Sequence, residues 1–141
     1  MDYTPSEISA TTVLIIEDSP VVQHLMRMTL APMELNLLFA EDGERGLELA
    51  RTYLPDLITI DIGLPGLDGW GVLAELRADA ATDHIPVIVI TAHAQKSVQQ
   101  TATDSGADGF FPKPFQPAEL RRAAGALLER TPVDAEVKIY F

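Results

Sequence analysis

Five side chains could do chemistry together. Glu17 and Asp18 follow the apolar run VLII (13–16), and Asp61 follows LITI (57–60). Thr91 follows VIVI (87–90), and Lys113 with Pro114 comes just after GFF (109–111). Each has an ordinary use alone: an acid after a strand often caps the next helix, and a lysine is usually a surface charge. Held in one place, three carboxylates repel and raise one another's pKa, so something must offset them. A hard divalent cation does this with oxygen ligands, and octahedral geometry with retained waters describes Mg2+. The pattern therefore predicts a Mg2+ site built around a reactive carboxylate.

The elements that must carry these residues are legible in the apolar pattern. The three runs 13–16, 57–60 and 87–90 are β-branched, apolar on both faces and bounded by breakers, as interior parallel strands are. Weaker runs at 35–40 and 109–111 are expected at the edges, and Pro112, which lacks an N–H, supports an edge position for the last. Helical spacing lies between them. Ser19-Pro20 is an N-cap with proline at the first helical position. Val22, Leu25, Met26 and Thr29 then share a face, as do Leu47, Ala50 and Leu54, then Val72, Leu73 and Leu76, then Leu120, Ala124, Leu127 and Leu128. Residues 97–105 are helical by position, with Val98 and Ala102 as thin anchors. Strand and helix alternate five times, which predicts βαβ units in a doubly wound parallel sheet. Strand ends in such a sheet share one rim, where ligands bind, and all five candidate residues fall on it.

Length and composition set the outer limits. The 141 residues suit one domain, expected over 12–130 after a flexible N-terminus at 1–11. Residues 131–141 alternate strictly, with Val133, Ala135, Val137, Ile139 and Phe141 on one side. They are read as a frayed tail or an extra strand, the latter able to pair with another chain's edge. With 10 basic and 21 acidic residues the formal charge is −11, which disfavours direct contact with nucleic acid or anionic membrane. There is no cysteine, hence no disulfide or thiol chemistry, and no signal-like start or membrane-length apolar run. A cytoplasmic setting is expected.

The stretches IIEDSP, DIGLPGLDGW, VIVITA and GADGFFPKPF, in this order and spacing, resemble the motifs of bacterial two-component response-regulator receiver domains over roughly residues 12–130. The resemblance implies a flavodoxin-like (βα)5 three-layer sandwich with sheet order 2-1-3-4-5. It implies that Asp61 accepts a phosphoryl group from a sensor histidine kinase, a histidine phosphotransfer protein or a small donor such as acetyl phosphate. Mg2+ would be bound by Asp18 and Asp61, by Glu17 through water, and by the Gly63 carbonyl. Lys113 would pair with the phosphoryl group, Thr91 would move its hydroxyl onto it, and the Lys113–Pro114 bond would be cis. The breakers Gly63, Pro65, Gly66 and Gly69 would hold the loop open for water, metal and donor.

The same resemblance makes Phe110 the aromatic that turns inward behind Thr91, without a tyrosine's hydroxyl. The read-out face would be helix 97–105, strand 109–111 and helix 117–130. Gly63 and His93, two positions beyond Asp61 and Thr91, are expected to set the dephosphorylation rate. The chain is expected to be no enzyme beyond its own phosphorylation and dephosphorylation, to act as a stand-alone, chemotaxis-regulator-like switch or relay shuttle, and to be a monomer or weak dimer. A receiver from a larger hybrid kinase or transcription factor is the alternative. A Mg2+-dependent aspartyl-phosphate phosphatase fits less well, because its two acids stand two apart after the first strand whereas Glu17 and Asp18 are adjacent. A receiver fold that serves only as a scaffold would not need all five site residues.

Overall fold

The three interior strands form where β-branched residues are apolar on both faces, and weaker segments join them at the sides. The computed structural model describes residues 11–93, 95–129 and 139–140. The strands are β1 (Thr12–Ile16), β2 (Asn36–Ala40), β3 (Leu57–Ile60), β4 (Val87–Thr91), β5 (Gly109–Pro112) and β6 (Ile139–Tyr140). The helices are α1 (Pro20–Leu30), α2 (Gly43–Tyr53), α3 (Gly69–Ala78), α4 (Lys96–Asp104) and α5 (Pro117–Glu129). The sheet order is β2-β1-β3-β4-β5-β6, with every neighbouring pair parallel.

The period-two geometry of strands sorts the core into two layers. Leu14, Ile16, Ile58, Ile60, Val87, Val89 and Phe110 face one side, packed with residues of α2, α3 and α4. Val13, Ile15, Leu57, Ile88, Ile90 and Phe111 face the other, packed with α1 and α5. The result is the expected three-layer α/β sandwich in the order 2-1-3-4-5, with a sixth strand added.

Three details differ from the sequence expectation. Leu25 and Leu54 lie outside the core, 40% and 50% exposed. Leu54 is the C-cap of α2, in a left-handed conformation with φ 47°, and this turns it off the helix face. The third difference is β5, which is no edge along its first half: Gly109 pairs with Ile139 and Phe110 with Tyr140. Lys113 N–H donates to the Thr91 carbonyl at 2.9 Å, so the nitrogen of Pro112 faces away from β4 at a point beyond Tyr140. Its missing donor therefore leaves both ladders intact. The N-terminus at 1–10 and the tail residues 130–138 and 141 lie outside the described residues.

Candidate functional site

Backbone pairing at the strand ends assembles the rim. Asp61 N–H donates to the Ile16 carbonyl at 3.2 Å, which sets the acid beside the end of β1. Glu17 N–H continues the ladder to the Ala40 carbonyl at 2.9 Å. Ser19 then caps α1, its hydroxyl oxygen accepting from Val22 N–H at 3.3 Å with Pro20 in the first turn.

Carboxylate oxygens of Glu17, Asp18 and Asp61 all lie within 4.8 Å of one another. Glu17 is buried, Asp61 half-buried and Asp18 exposed. Lys113 Nζ donates to Glu17 Oε1 and to Asp61 Oδ2, each at 2.9 Å. Glu17 Oε2 also accepts from Ser19 N–H at 3.0 Å, and Asp61 Oδ1 from Gly63 N–H at 3.0 Å. The repulsion expected among the acids is thus met here by an ammonium.

Burial pushes the Glu17 carboxyl above its ordinary range, against the opposing pull of Lys113 and the Ser19 N–H. For Lys113, burial lowers the pKa, but hydrogen bonds to Glu17 and Asp61 together with their charges outweigh it and hold the ammonium above its usual value. Lys113 therefore stays charged. Three carboxylates against one ammonium still leave an excess of negative charge, and every donor they offer is a hard oxygen. That donor set fits Mg2+.

Thr91 ends β4, the strand beside β3, and is fully buried; its Oγ1 accepts from His93 N–H at 3.1 Å. Phe110 is buried in the layer that holds Val89 and Ala102, with Val98 packed against it. The Lys113–Pro114 peptide is cis.

The loop after Asp61 departs from the expected open coil. Gly69 is buried, and its N–H donates to the Ile62 carbonyl at 3.1 Å. A Cβ there would stand 2.5 Å from the Asp61 carbonyl oxygen and 2.6 Å from Ile62 Cα. Glycine at this position lets α3 start directly against the acid's own backbone, while Gly63, Pro65 and Gly66 are exposed. One breaker closes the loop and the others leave its outer side accessible.

Two polar contacts escape a reading of the sequence. Gln23 Nε2 donates to the Glu17 carbonyl at 2.6 Å. Arg77 donates to the carbonyls of Gly106 and Ile85 and to Asp108 Oδ2, and Asp108 Oδ2 also accepts from Val87 N–H. Neither has a local signature; a glutamine one turn into a helix looks like any solvated residue.

With fold and site in view, the chain belongs to the response-regulator receiver-domain family, whose pattern it matches over residues 13–125. It is 40% identical over 119 residues to the DNA-binding dual master transcriptional regulator RpaA of Synechocystis, covering 84% of this chain and 49% of that protein. It is 38% identical over 120 residues to the KDP operon transcriptional regulatory protein KdpE of Escherichia coli, covering 85% and 52%. The chain spans about half the length of the curated relatives it matches. Among solved structures, the receiver domain of a Pseudomonas aeruginosa sensor histidine kinase, with a magnesium ion coordinated in its active-site cleft, is 28% identical with a TM-score of 0.79, covering 86% and 99%. A Francisella response-regulator receiver domain is 28% identical with a TM-score of 0.80, covering 85% and 98%. No helix among the described residues is long and apolar enough to cross a membrane.

Proposed function

We propose that the chain is a phosphorylation-switched signalling module in which Asp61 accepts a phosphoryl group from a phosphohistidine on a sensor kinase or phosphotransfer protein. The observation that carries this reading is the convergence of Glu17, Asp18 and Asp61 within 4.8 Å, with Lys113 Nζ on Asp61. An Asp61 carboxylate oxygen attacks phosphorus. The new O–P bond forms as the P–N bond breaks, and the histidine nitrogen leaves with the electron pair and takes up a proton. From acetyl phosphate, acetate leaves instead.

Gly63 N–H and Lys113 Nζ aim the Asp61 carboxylate before transfer, so little reorganisation is needed at the moment of attack. Asp18 and Asp61, with Glu17 through water and the Gly63 carbonyl, would hold Mg2+, which supplies neutralisation of the phosphoryl oxygens' charge. Lys113 acts as a point charge toward the transferred group. Thr91, at the end of the neighbouring strand, turns its hydroxyl to the phosphoryl oxygens, and Phe110 follows into the space behind it. A phosphoryl group adds about −1.5 to −2 charge, and the response is carried to a partner protein through α4, β5 and α5. His93 and Gly63 set how long the group survives.

The half-length match to RpaA and KdpE favours a second reading of the output, in which this is the receiver part of a longer transcriptional regulator. The direct nucleic-acid contact disfavoured by the charge of −11 then falls to other parts of such a protein.

The test is intact mass after incubation with acetyl phosphate, with and without Mg2+, for the wild type and Asp61→Asn. One Mg2+-dependent phosphoryl adduct in the wild type and none in the variant is the expected result. An adduct that persists in Asp61→Asn places the acceptor elsewhere.

A further inference from the structure

We infer that Gln23 is a positioning residue for the acidic site. It acts through the peptide that joins Glu17 to Asp18 and thereby sets the site's affinity for Mg2+. The inference rests on the proposed function for the metal's identity, but the geometry is that of the chain itself.

Glu17 is the residue at which the chain leaves the sheet. Its N–H still donates to the Ala40 carbonyl at 2.9 Å, so its carbonyl points toward the same side, that of β2. β2 ends at Ala40, and no strand residue beyond it continues the ladder. The amide of Gln23 takes that place: Nε2 donates to the Glu17 carbonyl at 2.6 Å. Gln23 is itself fixed, because its N–H donates to the Ser19 carbonyl at 2.9 Å in the first turn of α1. The side chain therefore reaches back over the helix start to the residue two before the cap.

The carbonyl it holds belongs to the peptide plane that precedes Asp18. Rotation of that plane would swing the Asp18 carboxylate relative to Asp61. It would also pull Glu17 from its contacts with Ser19 N–H and Lys113 Nζ. Outer partners that orient ligands in this way are commonly worth about 10–100-fold in metal affinity. Gln23 is half-buried and lies outside the acid cluster itself, so its effect is on orientation, with no charge contributed.

The experiment is a calorimetric Mg2+ titration of the full chain as wild type, Gln23→Met and Gln23→Glu, with amide hydrogen exchange at Ser19, whose N–H donates to Glu17 Oε2, in metal-free buffer. Methionine keeps the length and removes the donor. Glutamate removes the donor and adds a negative charge, which by attraction alone would tighten Mg2+ binding. The expected result is binding weaker by about tenfold in both variants, faster exchange at Ser19, and an unfolding midpoint close to the wild type's. Weaker binding in Gln23→Glu, against the pull of its charge, is what a purely electrostatic or merely structural role does not give. Binding by Gln23→Met equal to the wild type's overturns the inference, as does tighter binding by Gln23→Glu. A wild type that takes up no Mg2+ counts against the proposed function instead. Exchange at Ser19 then decides the positioning role: unchanged exchange in Gln23→Met overturns it, and faster exchange supports it.

Discussion

Lys113 is the residue on which the site's charge balance turns. Its ammonium lies 2.9 Å from both Glu17 and Asp61, and all three side chains are at most one-fifth exposed. Substituting Lys113→Met keeps the apolar stem and removes the only cation in contact with the two acids among the described residues. Two carboxylates would then face each other with no opposing charge, a loss of about 1–3 kcal/mol in metal-free protein. The sign should depend on the metal. Mg2+ supplies the missing positive charge, so it should raise the urea midpoint of Lys113→Met by more than it raises that of the wild type. In the wild type the cation must compete with an ammonium already seated between Glu17 and Asp61. Equal shifts in both proteins would mean that Lys113 and the metal do not share the same charge. The five candidate residues can be picked out in the sequence because each lies within two positions of the end of an apolar run. Their pairing cannot, since contact between positions 17 and 113 follows only from strand order.

At the level of elements, the layer that holds α4 is unevenly fastened. α3 buries Val72, Leu73 and Leu76, whereas α4 buries Ala102 alone and its N-cap, Gln95, makes no side-chain capping bond. What fixes the exit of α4 is Arg77, reaching from α3. Its guanidinium holds the Gly106 carbonyl through Nε at 3.1 Å and NH2 at 2.9 Å, the Ile85 carbonyl at 2.8 Å, and Asp108 Oδ2 at 3.1 Å. Gly106, at φ +97°, packs directly against this side chain. A lysine can replace the charge but not the planar fork. Arg77→Lys is therefore expected to cost about 1–3 kcal/mol in urea unfolding, with amide exchange rising first in residues 96–108. A loss below about 0.5 kcal/mol, the level of an ordinary surface change, would remove Arg77 from this role. Strand runs and the Ser19 N-cap with Pro20 at the first helical position can be read locally, and the expected helix 97–105 lies one residue from α4 at each end. The clamp cannot, because its partners stand 8, 29 and 31 positions away and nothing near Arg77 in the sequence distinguishes it from a solvated helix arginine.

Taken as a whole molecule, the sheet carries one strand more than its five βα repeats require. An uncovered edge beside Gly109 and Phe110 would present unpaired N–H and C=O groups, a template for another chain. β6 covers it, in a register that pairs Tyr140 with Phe110. The alternation over 131–141 allows a frayed tail or a strand, and 139–140, the part described, is strand; its partner is not legible, because period-two spacing specifies a face and never a neighbour. Pairing through two residues is a contact of low stability, near the end of the scale where local opening is found. Successive N–H groups on a strand face opposite sides, so of Ile139→Pro and Tyr140→Pro one removes a donor that faces β5 and the other does not. Amide exchange over residues 109–111 should therefore rise in one variant more than in the other, with β1 and β3 unchanged. The more affected variant, its edge uncovered, should show a molar mass that climbs with concentration in sedimentation, while the wild type's stays flat. Identical exchange in both variants and the wild type would mean that β6 does not hold β5 in solution. The outer face beside Phe110 would then be open to a partner without any strand having to leave.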